Sequence, residues 1–307
     1  MASKISRIDA TLFAVTVLTW GTTWFVILGQ LGVVHPVVSV GWRFLLACLV
    51  VFGICVIRTE RLVLTGSEHA LCVLLGLFLF CLNYGLFYTA SLSLTTGLIS
   101  IVFSTMVFWN ALGARLIMGA PLEGRSLLGG VIGVFGLLVL FRAELLTFEW
   151  RSEGSLALLF CLIGTVSASF GNLVSAWLQK RSMTVWNSTA YGMLYGTLLT
   201  FGYVALQGLK IQFEWTAIYV VSLLYLVVFG SVIAFGSYLT LIGRIGPGRA
   251  AYTSVVFPVV AVLVSVLFEG YKITLLALIA IALVIAGNWL ALSKPKIQKS
   301  PCVPQSR

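Results

Sequence analysis

The sequence predicts an all-α integral membrane protein: ten transmembrane helices arranged as two inverted five-helix repeats. Three observations carry this expectation. First, only 9% of the 307 residues are charged and 60% are apolar, whereas soluble domains carry roughly 25% charged residues. The chain lacks the polar surface needed to wrap water-soluble cores of this size. Second, cutting the chain at charges and turn residues leaves ten apolar stretches close to the roughly 20 residues that a helix needs to cross hydrocarbon. Third, Lys and Arg are unevenly divided between the two sets of alternate span ends.

The expected spans are 11–31, 37–57, 69–89, 97–117, 126–141, 155–176, 187–207, 217–239, 250–268 and 274–292. The fifth is short, and Arg125 or Arg142 extends it by snorkelling. The longest connection runs from Arg142 to Gly154, so no soluble domain is inserted. The first apolar run follows Lys4, Arg7 and Asp9 without a small-x-small cleavage pattern, which favours a retained helix over a removed signal peptide.

Of the nineteen Lys and Arg residues, fourteen fall on one set of ends: Lys4, Arg7, Arg58, Arg61, Arg115, Arg125, Lys180, Arg181, Arg244, Arg249, Lys294, Lys296, Lys299 and Arg307. Arg142, Arg151, Lys210 and Lys272 fall on the other, and Arg43 lies within a span. This division places both termini in the cytoplasm of a multi-pass protein of the cell (plasma or inner) membrane. The net charge of +10 is then a record of topology. A nucleic-acid partner is excluded because the basic residues are not clustered on one solvated face. The six cysteines show no C-x-x-C pair and five lie within apolar runs, so no disulfide framework, metal site or cofactor is expected.

The two halves share punctuation. Gly97-Leu98-Ile99 opens the fourth span and Gly248-Arg249-Ala250 the ninth; each runs into a small turn, Met118-Gly119-Ala120-Pro121 and Phe268-Glu269-Gly270-Tyr271, followed by a short Gly-containing helix. The expected organisation is a cytoplasmic N-terminus (1–10), a first repeat (11–142), an outer linker (143–154), a second repeat (155–293) and a cytoplasmic tail (294–307). Because five is odd, the second copy enters the membrane in the opposite sense. That inversion is the architecture of alternating-access transporters, which bind at the midplane.

Trp20-Gly21-Thr22-Thr23-Trp24, His35-Pro36, Trp42-Arg43-Phe44, Ile245-Gly246-Pro247-Gly248-Arg249-Ala250-Ala251, Phe257-Pro258-Val259-Val260 and Leu267-Phe268-Glu269-Gly270 together resemble the EamA family of the drug/metabolite transporter superfamily. The resemblance covers two tandem EamA repeats, roughly Leu12 to Phe141 and Ser155 to Leu290. It implies a ten-helix transporter of small metabolites, often amino acids or toxic compounds, often moved outward. The chain departs from the family where Val107 replaces a mid-span proline and where Gly119-Ala120 and Gly270-Tyr271 replace a closing Gly-Glu.

Candidate solute-binding residues are the polar and aromatic groups at depth. Arg43 lies seven residues into the second span, about 10 Å from its outer end. A charge there either serves an anionic group of the solute, snorkels to outer headgroups or caps a neighbouring helix. All nine acidic residues fall outside the spans, so an intramembrane carboxylate relay for proton coupling is not expected. Trp20, Thr23 and Trp24 share one helical face and either stack on a solute or pack. Asn83, Tyr84, Asn110 and Asn172 must each meet a partner helix, water or a ligand, and Asn172 holds about the place in the second repeat that Thr23 holds in the first. Tyr238 and Ser254 follow on the same reasoning. Pro258 either forms a static kink or acts as a hinge. Gly129, Gly130, Gly133 and Gly136 form a close helix contact, a homodimer face being one use of it.

The function that follows is transport of a small organic solute through the bilayer by alternating access, without catalysis. The alternative is an intramembrane lipid-modifying enzyme, which needs a carboxylate, His or metal cluster or a Ser with a base. No H-x-x-x-H or D-x-x-D pattern appears, and of the two histidines, His35 and His69, only His69 has an acidic neighbour in sequence, Glu68.

Overall fold

The computed structural model describes residues 6–148, 152–268 and 273–293. Among them, helices cover all ten expected segments and there are no strands. They are α1 Arg7–Ile27, α2 Pro36–Ile57, α3 Gly66–Ala90, α4 Thr96–Ser104 continuing as Met106–Met118, α5 Gly124–Leu140, α6 Ser152–Lys180, α7 Val185–Leu206, α8 Ala217–Ile245, α9 Pro247–Ala250 continuing as Thr253–Phe268, and α10 Leu275–Leu292. Eight are long and apolar enough to cross a membrane. Helix α5 is shorter at 17 residues, and α7, at 22 residues, carries the polar run Asn187-Ser188-Thr189 near its start. The expected turn Phe268-Glu269-Gly270-Tyr271, much of the 143–154 linker and the 294–307 tail lie largely outside the described residues. A short helical turn, Arg142–Leu146, follows α5 where only a connection was expected.

Helix starts follow from local chemistry. Ser6 and Thr65 form capping boxes with Asp9 and Glu68, His35 precedes Pro36 at the first position of α2, and Thr184, Thr216 and Thr274 accept from the backbone of the first turns of α7, α8 and α10. Each satisfies amide groups that a helix start leaves unpaired. Gly119, in the left-handed region at φ 67°, ends α4.

Two helices are interrupted at corresponding places. A π-helical segment occupies Gly76–Leu82 in α3 and Val228–Ile233 in α8. Such segments shift backbone carbonyls away from their regular partners. The packing has the same correspondence: α1 packs on α8 and α9, as α6 packs on α3 and α4; α2 packs on α8 as α7 packs on α3; α2 pairs with α7, and α5 with α10. Advancing the helices of each of these pairs by five positions returns another of the pairs, or the same one.

The span ends gather on two faces. On one, where α1 begins and α10 ends, Asp9 pairs with Arg244 at the end of α8, Tyr191 donates to Leu62 O at 2.6 Å, and Arg249 donates to Leu292 O at 2.9 Å. On the opposite face, Gln30 donates to Tyr219 O and Ser222 Oγ at 2.9 and 2.6 Å, and Trp42 donates to Gln212 O at 2.8 Å. Exposed side chains such as Leu18, Leu198, Val221, Leu224 and Ile285 cover the outside of the bundle with apolar surface that suits lipid.

The glycine contact in α5 is internal. A Cβ on Gly129 would stand 2.4 Å from Gly287 O, and one on Gly136 would stand 2.9 Å from Ala280 O, both in α10. The expectation of a homodimer on this face is therefore corrected, because the backbones of α5 and α10 already occupy it. The two histidines at span ends hydrogen-bond within the scaffold: His35 Nδ1 accepts from Val37 N at 3.3 Å, and His69 Nδ1 meets Tyr195 OH at 2.8 Å.

Candidate functional site: a central aromatic cavity

A narrow cavity of about 50 Å³ lies within the bundle, well below the roughly 300–1,000 Å³ of occupied small-molecule sites, so a solute enters it only as the helices part. Its walls come from corresponding helices of the two halves: α1 with α6, α3 with α8, and α4 with α9. Arg43 from α2 completes it. Of the residues singled out from the sequence, Trp20, Thr23, Trp24, Arg43, Asn83, Tyr84, Asn172 and Tyr238 line this space.

Arg43 is 1% exposed, so it does not snorkel to headgroups. Its Nε donates to Ser231 Oγ at 2.9 Å, one terminal nitrogen to Tyr88 OH at 3.1 Å, and the other to Gly230 O at 2.9 Å. The guanidinium carbon stands 4.8 Å from the centre of the Tyr84 ring, within cation–π range. Three of its five N–H groups are thereby used, and no carboxylate pairs with it among the described residues. The cavity keeps an uncompensated positive charge.

The π segment of α8 makes this arrangement available. Gly230 O accepts from both Arg43 and Trp20 Nε1, the latter at 3.2 Å. A Cβ on Gly230 would stand 2.8 Å from Thr23 Cγ2 and 2.9 Å from Arg43 Nη2, so the approach of α1 and α2 requires glycine. The matching segment of α3 offers Phe78 O to Ser167 Oγ at 2.7 Å.

The aromatic residues form a continuous lining. Trp20 packs against Phe235 and Tyr238 at 5.2 and 4.9 Å between ring centres. Trp24 meets Phe87 and Phe257 at 6.1 and 6.2 Å. Thr23 Oγ1 donates to Trp20 O at 2.7 Å, and Asn83 donates to Gly164 O at 2.8 Å, so both hydrogen-bond within the scaffold while lining the cavity.

Asn110 and Ser254 are not in the lining. Ser254 Oγ donates to Ala251 O within its own helix at 2.7 Å and is fully buried. Asn110 sits one layer further toward the face where α1 begins, donating to Pro247 O at 3.0 Å. Pro258 lies inside α9, next to Phe257 in the wall.

Sequence reasoning missed Tyr88, Gly230 and Ser231, which hold Arg43, and the walls Phe87, Phe103, Phe235 and Phe257. Tyr88 follows Tyr84 by four residues and so shares its helical face; that signal was available. Gly230 and Ser231 carry none, because a π segment leaves no mark in the apolar pattern.

A second, wider cavity lies nearer the face where α1 begins, between α4, the start of α5 and the α8–α9 connection. Ala111, Glu123, Arg244, Pro247, Arg249 and Tyr252 contribute to its walls.

The model of the EamA-like transporter family matches residues 8–142 and 155–293. The chain belongs to the EamA-like transporter family. It is a multi-pass membrane transporter of two tandem EamA segments. It is 30% identical to an uncharacterized inner membrane transporter of Escherichia coli (strain K12), YedA, over 93% of each chain. It is 24% identical to a probable amino-acid metabolite efflux pump of the same organism, over 93% of this chain and 95% of that one. Protein PagO of Salmonella typhimurium is 23% identical over 92% and 91%. A solved crystal structure shares the fold, with a TM-score of 0.78 at 18% identity over 94% of this chain and 97% of that one.

Proposed function

We propose that the protein moves small organic metabolites out of the cytoplasm by alternating access, with the central cavity as the solute site. The observation that carries this reading is the cavity's composition from corresponding helices of both halves, α1/α6, α3/α8 and α4/α9. A site on such a pseudo-two-fold axis is reached from either side by equivalent motions. The chain then crosses the cell membrane ten times as two inverted repeats, with the Lys- and Arg-rich ends and both termini in the cytoplasm. The face where α1 begins is the cytoplasmic one. Trp20, Thr23, Trp24, Arg43, Asn83, Tyr84, Asn172 and Tyr238 contact the solute, and Pro258 is a hinge for α9. The probable amino-acid metabolite efflux pump among the relatives supports amino-acid-like solutes and outward movement; the uncompensated Arg43 supports solutes with an acidic group.

The test is a metabolite-wide comparison of inside-out vesicles with and without the protein. Accumulation of a defined set of small acidic or zwitterionic metabolites is expected only where the protein is present. Identical metabolite profiles across a broad panel would sink the reading.

A further inference from the structure

The two cavities meet adjacent residues of α4. Met106 lines the central cavity, and the next residue, Val107, lines the second. One turn along α4, Asn110 touches residues of both: its Nδ2 donates to Pro247 O of the second cavity at 3.0 Å, and its Oδ1 faces Asn172 Nδ2 of the central cavity at 3.4 Å. Asn172 Nδ2 also donates to Tyr238 OH at 3.0 Å. All three side chains are buried, Asn110 and Asn172 completely. This cluster joins α4, α6, α8 and the start of α9, the elements between which a path from the central cavity to the cytoplasm must run.

The closed arrangement is not fully satisfied. Because Asn110 Nδ2 is committed to a carbonyl, Asn110 presents its oxygen to Asn172, which fixes the orientation of the Asn172 amide. Asn172 Oδ1 is then left buried with no hydrogen-bond partner. A buried acceptor without a partner disfavours the state that buries it. Water arriving from the second cavity would satisfy Oδ1, so the cluster is built to open as well as to close. The hydrophobic walls above it offer no such exchange.

We propose that Asn110, Asn172 and Tyr238 form the inner gate of the transport path, and that the second cavity is the vestibule through which a solute reaches it. This inference rests on the transporter reading given above. Arg249 in the vestibule wall and Arg43 beyond the gate give the path positive charge; Glu123 is acidic there, and Arg244 in the same wall is paired with Asp9. The structure is the state closed toward the vestibule.

The experiment uses the full-length chain with its six native cysteines replaced by alanine, carrying Ala111→Cys in the vestibule or Ala168→Cys in the central cavity. Each is labelled with a membrane-impermeant maleimide from the cytoplasmic face of inside-out vesicles. Ala111→Cys is expected to react, and Ala168→Cys to react slowly. Adding Asn172→Ala or Asn110→Ala is expected to raise the Ala168→Cys rate from that face at least tenfold. Should Asn172→Ala fail to yield folded protein by size-exclusion profile, Asn172→Ser provides the same opening with a smaller perturbation. An Ala168→Cys rate unmoved by substitution at both asparagines, or an Ala111→Cys that does not react, overturns the proposal. Gate-dependent labelling in a protein that carries no solute in the vesicle comparison would overturn the transporter reading and leave the barrier assignment standing.

Discussion

Arg43 and Gly230 are joined by a hydrogen bond of 2.9 Å from a guanidinium nitrogen to a backbone carbonyl, and the same glycine has no room for a Cβ beside that nitrogen. The buried cation is therefore held by a backbone irregularity in another helix rather than by a counter-ion. Its orientation depends on the shape of α8 as much as on its own side chain.

Gly230→Ala tests this dependence directly. The added methyl must displace Arg43 or Thr23, and overpacking of this kind costs about 1–3 kcal/mol. A lower melting temperature in detergent and at least tenfold slower transport are expected. Gly53→Ala, inside α2 where a Cβ meets nothing within 4 Å, is expected to leave transport unchanged and not to lower the melting temperature.

Arg43→Lys keeps the charge and loses the fork. A lysine ammonium is a compact point charge and does not reproduce the planar spread of the guanidinium toward Ser231, Tyr88 and Gly230. If Arg43 meets an acidic group of the solute, transport of acidic or zwitterionic solutes falls much more than that of neutral ones. Equal loss for all solutes would assign Arg43 a purely structural role. Competition assays in vesicles with matched acid and amide solutes separate the two.

Ser231→Ala removes one acceptor from the same guanidinium and leaves Nε buried without it. The expected cost is about 1–3 kcal/mol, seen as a lower melting temperature. Partial transport is expected to survive because Tyr88 and Gly230 remain.

Gly129→Val separates an internal helix contact from a dimer face. With a Cβ there only 2.4 Å from Gly287 O, the α5–α10 pair cannot close. Loss of folded protein is expected in size-exclusion chromatography. A folded monomer that has merely lost a dimer would contradict the internal role.

Asp9→Ala loses the capping box at Ser6 as well as the Arg244 pair. The bond from Ser6 N contributes up to about 1 kcal/mol, and the pair, with Arg244 39% and Asp9 5% exposed, adds less because water screens its open side. Thermal unfolding of Asp9→Ala beside Arg244→Ala ranks the two contributions. A larger loss for Arg244→Ala would contradict this ranking.

Membrane burial made much of the molecule legible from composition. A chain this poor in charge has to satisfy its backbone within each segment, so apolar length alone located the ten helical segments. Ser or Thr caps, or Pro at the first position, mark many of their starts, a local signal that cutting at charges and turn residues left unused. The same scarcity of polar groups picked out most of the cavity: a polar residue at depth must face something other than lipid, and eight of the residues chosen on that ground line the central space. Ser254 shows the limit of the rule, because a hydroxyl can satisfy itself on its own helix.

What the sequence by itself determined was the membrane class, the helical segments, the two-repeat frame and the place of Arg43 within the second helix. Only the tertiary structure decided that the α5 glycines face α10, that Gly230 and Ser231 hold Arg43, and that Asn110 stands between two cavities while Asn172 lines one of them. The physical reason is that hydropathy records whether a residue meets lipid or protein, and does not record which protein surface it meets. The carbonyl that Arg43 uses is freed by a π segment, set by how α8 packs on α1 and α2. That choice is made between helices far apart in the chain, where no local pattern can carry it.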